Sequence, residues 1–140
     1  MKKRILSIFL CLVMVFSLLP FTASAASAIP INEETFPDPV FREYVLKIVG
    51  SSVLTEEKAQ QIEVLDVSDD NIKEVLGDRA PITSLMGIRY LRYVKDLNCS
   101  GQELKKTLNL EQNSRVEKLN CSGNQLTGLW FHKGSSLKYL

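Results

Sequence analysis

The pentapeptide LNCSG occurs twice, at Leu97 to Gly101 and at Leu119 to Gly123, inside a longer repeat. Cys99 and Cys121 are 22 residues apart, and Val94, Leu97, Cys99 and Ser100 recur as Val116, Leu119, Cys121 and Ser122. Another copy begins at Leu137 and Leu140, 21 residues after Val116, and an earlier one reads Ile62, Leu65, Val67, Ser68. A unit this short cannot bury an apolar face alone, so it must stack on copies of itself. Val67 stands where the later copies have cysteine, so the position asks for a small apolar side chain and not for sulfur.

Between Ser68 and Val94 the spacing exceeds one repeat by about ten residues. The segment DNIKEVLGDRAP is therefore expected to carry an insertion that loops out around Gly77 and Pro81. Ile82, Leu85, Ile88, Leu91 and Val94 then restore an apolar pattern at spacings of three. Leu104, Leu108 and Leu110 recur as Leu126, Leu129 and Phe131, one residue out of register, which accounts for a period of 22 against 21.

The chain starts MKKR, continues with an apolar run from Ile5 to Leu19, and then carries small residues in two A-x-A arrangements. These are the three regions of a secretory signal peptide, assigned to residues 1–28, with cleavage after Ala25 or Ala28. A membrane anchor is the alternative, but the run falls short of the roughly 20 residues that span a bilayer. Cys11 lies inside the apolar run, so no lipid anchor is implied. Loss of Lys2, Lys3 and Arg4 with no acid takes the formal charge from +1 to −2, which gives no electrostatic case for nucleic acid or anionic membranes.

Residues 29–61 are expected to form a helical cap. Asp38 is a plausible N-cap with Pro39 at the first helical position, and Phe41, Tyr44, Val45 and Ile48 make one apolar stripe before Gly50 stops the helix. A second, short helix starts at Thr55, with Glu56 and Glu57 where the helix dipole favours acids. Residues 62–140 hold about three repeats, the last incomplete.

At LNCSGNQLTGL, followed by LKYL, the sequence resembles bacterial secreted leucine-rich repeat proteins of the internalin-like group, with repeats such as LTYLDCSNNQLTSLDLSKN. INEETFPDPVFREYV resembles the segment that precedes such repeats. The resemblance implies an α/β fold, a leucine-rich repeat solenoid of short parallel strands, and a role in binding proteins or surface carbohydrate. Many relatives carry an acidic calcium loop, DxDGDGxLSxEE, where this chain has VGSSVLTEE without the alternating oxygen ligands. The cap is expected to bind no calcium there, and a rise in melting temperature on adding calcium would contradict this. Gln102 replaces the repeat asparagine and is expected to weaken the turn hydrogen-bonding ladder.

Strand alternation points Leu119 and Cys121 one way and Lys118, Asn120 and Ser122 the other. Leu97 and Cys99 stack on them, burying both thiols as small apolar groups. The repeat core is then Leu65, Val67, Val94, Leu97, Cys99, Val116, Leu119, Cys121, Leu126 and Leu129. A disulfide is permitted outside the cell, but stacked side chains lie about 4.8 Å apart, wider than the roughly 3.8 Å between disulfide Cβ atoms. Zinc needs four ligands, and the mature chain offers two cysteines and His132, which also sits apart from either thiol as a base. His132 reads as a solvated residue beside a turn.

Asn98 and Asn120 match the N-x-S glycosylation pattern, which falls out of the repeat and reads as coincidental within strands. The outward row Asp66, Asp96, Asn98, Lys118 and Asn120, with Trp130, is the candidate binding face, its alternative being a merely solvated surface. Trp130 anchors a partner or sugar ring, or else covers an unfinished end. Three readings follow. The first is a secreted or cell-surface, non-catalytic module that binds a protein or glycan, without cofactor or nucleic acid. The second is the N-terminal fragment of a larger surface protein with only a structural role. The third, an enzyme, lacks a convergent nucleophile, acid-base pair or metal set. An open last turn at Leu140 is expected to continue, to be truncated, or to be covered, self-association included.

Overall fold

A computed structural model describes residues 27–138. The signal-peptide segment therefore lies, apart from its last two residues, outside the described residues, as does Leu140. No helix of the described residues is long and apolar enough to cross a membrane.

The N-terminal part comprises β1 (Ile29–Pro30), helix α1 (Pro39–Val49), β2 (Val53–Leu54) and helix α2 (Glu56–Gln61). Asp38 caps α1, its Oδ1 accepting from the Val40 and Phe41 N–H at 3.0 Å each. Gly50, at φ 67°, ends the helix. Val40, Phe41, Tyr44, Val45 and Val49 are buried, whereas Ile48, expected on the stripe, is exposed. The helix turns its 41, 45, 49 ridge to the core, and Val49 takes the place assigned to Ile48. Thr55 caps α2, its hydroxyl accepting from Lys58 N–H at 3.3 Å.

Strands β3 (Val64–Asp66), β4 (Asp96–Asn98) and β6 (Lys118–Asn120) pair in parallel in that order. Leu65, Leu97 and Leu119 stand side by side, so the 22-residue step from Leu97 to Leu119 is one step across the sheet. The ladder runs past the strand ends, with Val67 N–H donating to Asn98 O and Cys99 N–H to Asn120 O, both at 2.8 Å. A second parallel pair, β5 (Leu108–Leu110) with β7 (Leu129–Phe131), forms a different wall of the stack. Its register sets Leu108 beside Leu129, the one-residue slip seen in the repeat.

The insertion is irregular around Gly77 and Pro81, as expected, but its first part is helix α3 (Asp69–Leu76), capped by the Ser68 hydroxyl. The cause is residue 69. In the later turns its equivalents Gly101 and Gly123 adopt φ 70° and 66° and bend the chain sharply. Aspartate disfavours that conformation but suits a first helical turn, so the chain winds onward from Ser68. Ile72 is buried on the inner side of α3. The sharp bend begins only at Gly77.

Gln102 does not weaken the ladder. Its Nε2 donates to Val67 O at 2.8 Å and its Oε1 accepts from Ile82 N–H at 2.7 Å. Asn124 does the same one turn later, donating to Cys99 O at 2.7 Å and accepting from Leu104 N–H at 3.1 Å. The extra methylene of glutamine leaves the bridge between adjacent turns intact. Asn113 ties a third point, its Nδ2 donating to Ile88 O and Leu91 O at 2.9 and 3.1 Å.

Candidate binding surfaces

Pleating splits each strand of the three-stranded sheet into an inward leucine and two outward residues. Leu65, Val67, Val94, Leu97, Cys99, Val116 and Leu119 are buried. Cys121, Leu126 and Leu129 are only half-buried, because they lie in the last described turn with no described turn stacked beyond them. Burial of both thiols is thus corrected to burial of Cys99 alone.

The outward row holds Val64, Asp96 and Lys118 side by side, then Asp66, Asn98 and Asn120. Lys118 Nζ lies 3.7 Å from Asp96 Oδ2. The three third-position oxygens are already engaged, each by the serine two residues on. Ser68 Oγ donates to Asp66 at 2.6 Å, Ser100 Oγ to Asn98 at 2.8 Å and Ser122 Oγ to Asn120 at 2.8 Å. These turns end the strands, so Asp66, Asn98 and Asn120 have a structural duty that leaves the asparagine amide donors facing outward. Asn98 and Asp66 are half-buried, Asn120 exposed.

Two features beside this row escaped the sequence reading. Val64 is 67% exposed, an apolar side chain standing in the row. Its alternation with the inward Leu65 and Val67 was visible in EVLDV. Before each strand runs a charge ladder: Lys95 Nζ meets Glu63 at 2.7 Å, and Lys138 Nζ meets Glu117 at 2.9 Å. The Lys138 hydrogen bond and charge hold the Glu117 carboxyl below its ordinary range. Beyond it, Tyr93 OH donates to Glu56, Arg92 reaches Glu56 at 3.3 Å, and the Arg115 guanidinium lies 4.5 Å over the Tyr93 ring.

Trp130 does not belong to this face. It sits on β7, where its register partner is Asn109 of β5, and it is 56% exposed. Treating it as an outward residue was sufficient; grouping it with the Asp96 row assumed a single sheet, whereas the two later turns each contribute strands to two.

Among the described residues no group of three or more His, Cys, Asp and Glu side chains is placed to hold a metal ion. In the cap segment compared above with a calcium loop, a lysine ammonium fills the turn. Lys58 Nζ donates to Val49 O at 3.1 Å and to Ser51 Oγ at 2.9 Å. Cys99 and Cys121 are free thiols. Burial, with the neighbouring Cys121, pushes the Cys99 thiol from the ordinary 9.0 up to about 12, and burial raises Cys121 as well. A thiol held neutral is a packing group and a poor nucleophile.

Because the unfolded chain loses the Cys99 proton near pH 9 and the folded chain keeps it to about pH 12, stability is full below pH 9 and falls across that window. Cys99→Val is expected to remove this alkaline slope and change stability by less than about 1.5 kcal/mol, while Cys99→Ser costs about 1–3 kcal/mol. Urea titrations from pH 7 to 11 check both; a valine variant as damaged as the serine one would sink the packing account.

No family model and no curated protein matches the chain. Among solved structures it is similar to a functional domain of InlJ from Listeria monocytogenes that includes a cysteine ladder, at TM-score 0.63 and 25% identity, over 83% of this chain and 24% of that one. It is also similar to internalin C2 from Listeria monocytogenes, at TM-score 0.56 and 23% identity, over 71% of this chain and 41% of that one. The chain thus spans about a quarter and two fifths of these neighbours' lengths. Its short parallel strands, stacked turn on turn behind a helical N-terminal part, are a leucine-rich-repeat-like α/β fold of the kind found in Listeria internalins.

Proposed function

We propose that this chain is a secreted or cell-surface, non-catalytic module of a leucine-rich repeat solenoid, with repeats of the LxxLxCSxNxLTxL type, and that its outward sheet row binds a protein. The observation that carries this is the row itself. Val64 is an exposed apolar side chain, Asp96 and Lys118 are half-screened opposite charges, and the Asn98 and Asn120 amides are fixed by their serine turns. Such a surface offers an apolar anchor and oriented polar groups at one rung per strand. Likeness to internalin structures supports the reading, and Cys99 and Cys121 act as two rungs of a ladder whose first rung is Val67. Exposed Trp130 favours a surface glycan as a second ligand on the other wall.

The N-terminal part of a larger surface protein, with no binding role of its own, is the competing reading. Self-association through the half-buried last turn belongs with it. Val64→Glu and Lys118→Glu are expected to change folding stability by less than about 1 kcal/mol. Each is expected to weaken binding at least ten-fold in a screen of extracellular proteins and a glycan array. Folded variants that bind as well as the parent, or a parent that binds nothing in the screen, would defeat the proposal.

A further inference from the structure

Between the segment 83–89 and strand β5 runs a groove of about 380 Å³ that the sheet row described above does not touch. Its floor is apolar, with Leu85, Ile88, Leu104 and Leu108 buried beneath it. In the later turns this wall is a paired strand, but in the long first turn residues 83–87 are irregular and Ile88–Tyr90 a single 3-10 turn. β5 therefore has β7 on one side and a groove on the other.

The edge of β5 that faces the groove is open. Leu108 N–H donates to Gly128 O at 3.0 Å, on the β7 side. Alternation in a parallel ladder then turns the N–H and C=O of Asn109 to the opposite side. Neither group has a hydrogen-bond partner among the described residues, and Asn109 lines the groove.

The far wall cannot close onto this edge, because the cap holds it. Asp38 Oδ2 accepts from Thr83 N–H and Oγ1 at 2.9 and 3.0 Å, and Gly87 packs against Phe36 and Thr35. The gap is thus a preformed slot with an unpaired strand edge on one side.

We propose that this groove takes an extended peptide segment, added as a strand to the free edge of β5. A main chain in extended conformation presents the alternating donors and acceptors that the Asn109 edge lacks, at the strand period. The groove is lined by two exposed cations, Lys106 and Arg89, against the single carboxylate Glu111, so the segment carries an acidic side chain. The Arg89 guanidinium is steadied by stacking 4.9 Å from the Tyr90 ring centre.

The test is selection of random 12-residue peptides displayed on phage against the full chain, exported from the expressing cell. Selected peptides are remade with N-methyl groups on alternate residues, which removes donors on one edge and keeps every side chain. Binding is expected to fall at least ten-fold for one of the two methylation patterns. It is also expected to fall at least ten-fold in Asn109→Pro, which deletes the open N–H without touching a β7 bond, and three-fold or more in Lys106→Glu. The amide signal of Asn109 shifts on titration.

Selected peptides indifferent to both methylation patterns, or that bind Lys106→Glu undiminished, would overturn the proposal. So would peptides weakened instead by Val64→Glu, the absence of any enriched peptide, or an oligosaccharide that occupies the groove in their place. Lys106→Glu lies on an exposed side chain, so it tests the groove even if the proline variant does not fold.

Discussion

Asp38→Ala is expected to cost the fold about 3–5 kcal/mol, through one carboxylate that joins two parts of the chain. Asp38 is 6% exposed. Its Oδ1 caps α1 through Val40 and Phe41, while its Oδ2 accepts from Thr83 N–H, Thr83 Oγ1 and Ser84 N–H at 2.9, 3.0 and 3.3 Å. Loss of the cap alone costs about 1 kcal/mol. The Thr83 and Ser84 amides, left part-buried and unpaired, add about 1–2 kcal/mol each.

Small domains have only about 5–15 kcal/mol to lose. The variant is therefore expected to unfold at much lower urea, read by circular dichroism on the chain from Ile29, with its far-UV helix signal still present before the transition. Asp38→Asn separates the two duties. It keeps one oxygen for the helix but turns an N–H₂ toward the Thr83 and Ser84 donors, so it should recover the cap and not the bridge. A loss under about 1 kcal/mol in Asp38→Ala would show that α1 and the first turn are held together by apolar packing alone.

This bridge marks where reading the sequence ran out. Asp38 was legible as a helix cap, since its signal is local: an acid before a proline, followed by an apolar stripe. Its second oxygen serves Thr83 and Ser84, 45 and 46 residues on, and no local pattern encodes that. The repeat positions were legible for the opposite reason, because stacking turns in register makes the distant neighbour of Leu97 a copy of itself, Leu119.

The single sheet assumed for the outward residues failed at Trp130, since a 22-residue turn can place its second apolar group, Leu108 or Leu129, in a second strand without changing the spacing. Helix α3 has local signals, the Ser68 cap and the acidic first turn of Asp69 and Asp70, but DNIKEVL interrupts the repeat where the later turns carry a glycine, and the repeat pattern masks them. Gln102 was misjudged by type, since its amide can reach Val67 O as Asn124 reaches Cys99 O.

Gly87→Ala is expected to cost at least about 3 kcal/mol, and its cause can be separated from backbone strain. Gly87 has φ 104°, where any L side chain is strained, and an added Cβ would meet Phe36 Cδ1 and Thr35 O, both at 2.5 Å. Gly134 has the same φ, 104°, but an added Cβ there meets nothing within 4 Å. Gly134→Ala therefore reports strain alone, about 1–2 kcal/mol. The excess in Gly87→Ala measures how tightly segment 83–89 lies on the cap. Phe36→Leu in the Gly87→Ala background should recover only part of that excess, because the ring can be trimmed away but the Thr35 carbonyl is backbone. Phe36 is fully buried and packs edge-on against Phe41 at 5.7 Å, so the trimmed chain also loses core contacts of its own. Equal losses at Gly134 and Gly87 in urea unfolding would mean that the segment lifts freely from the cap, and a groove wall that lifts freely would no longer be fixed in place opposite β5.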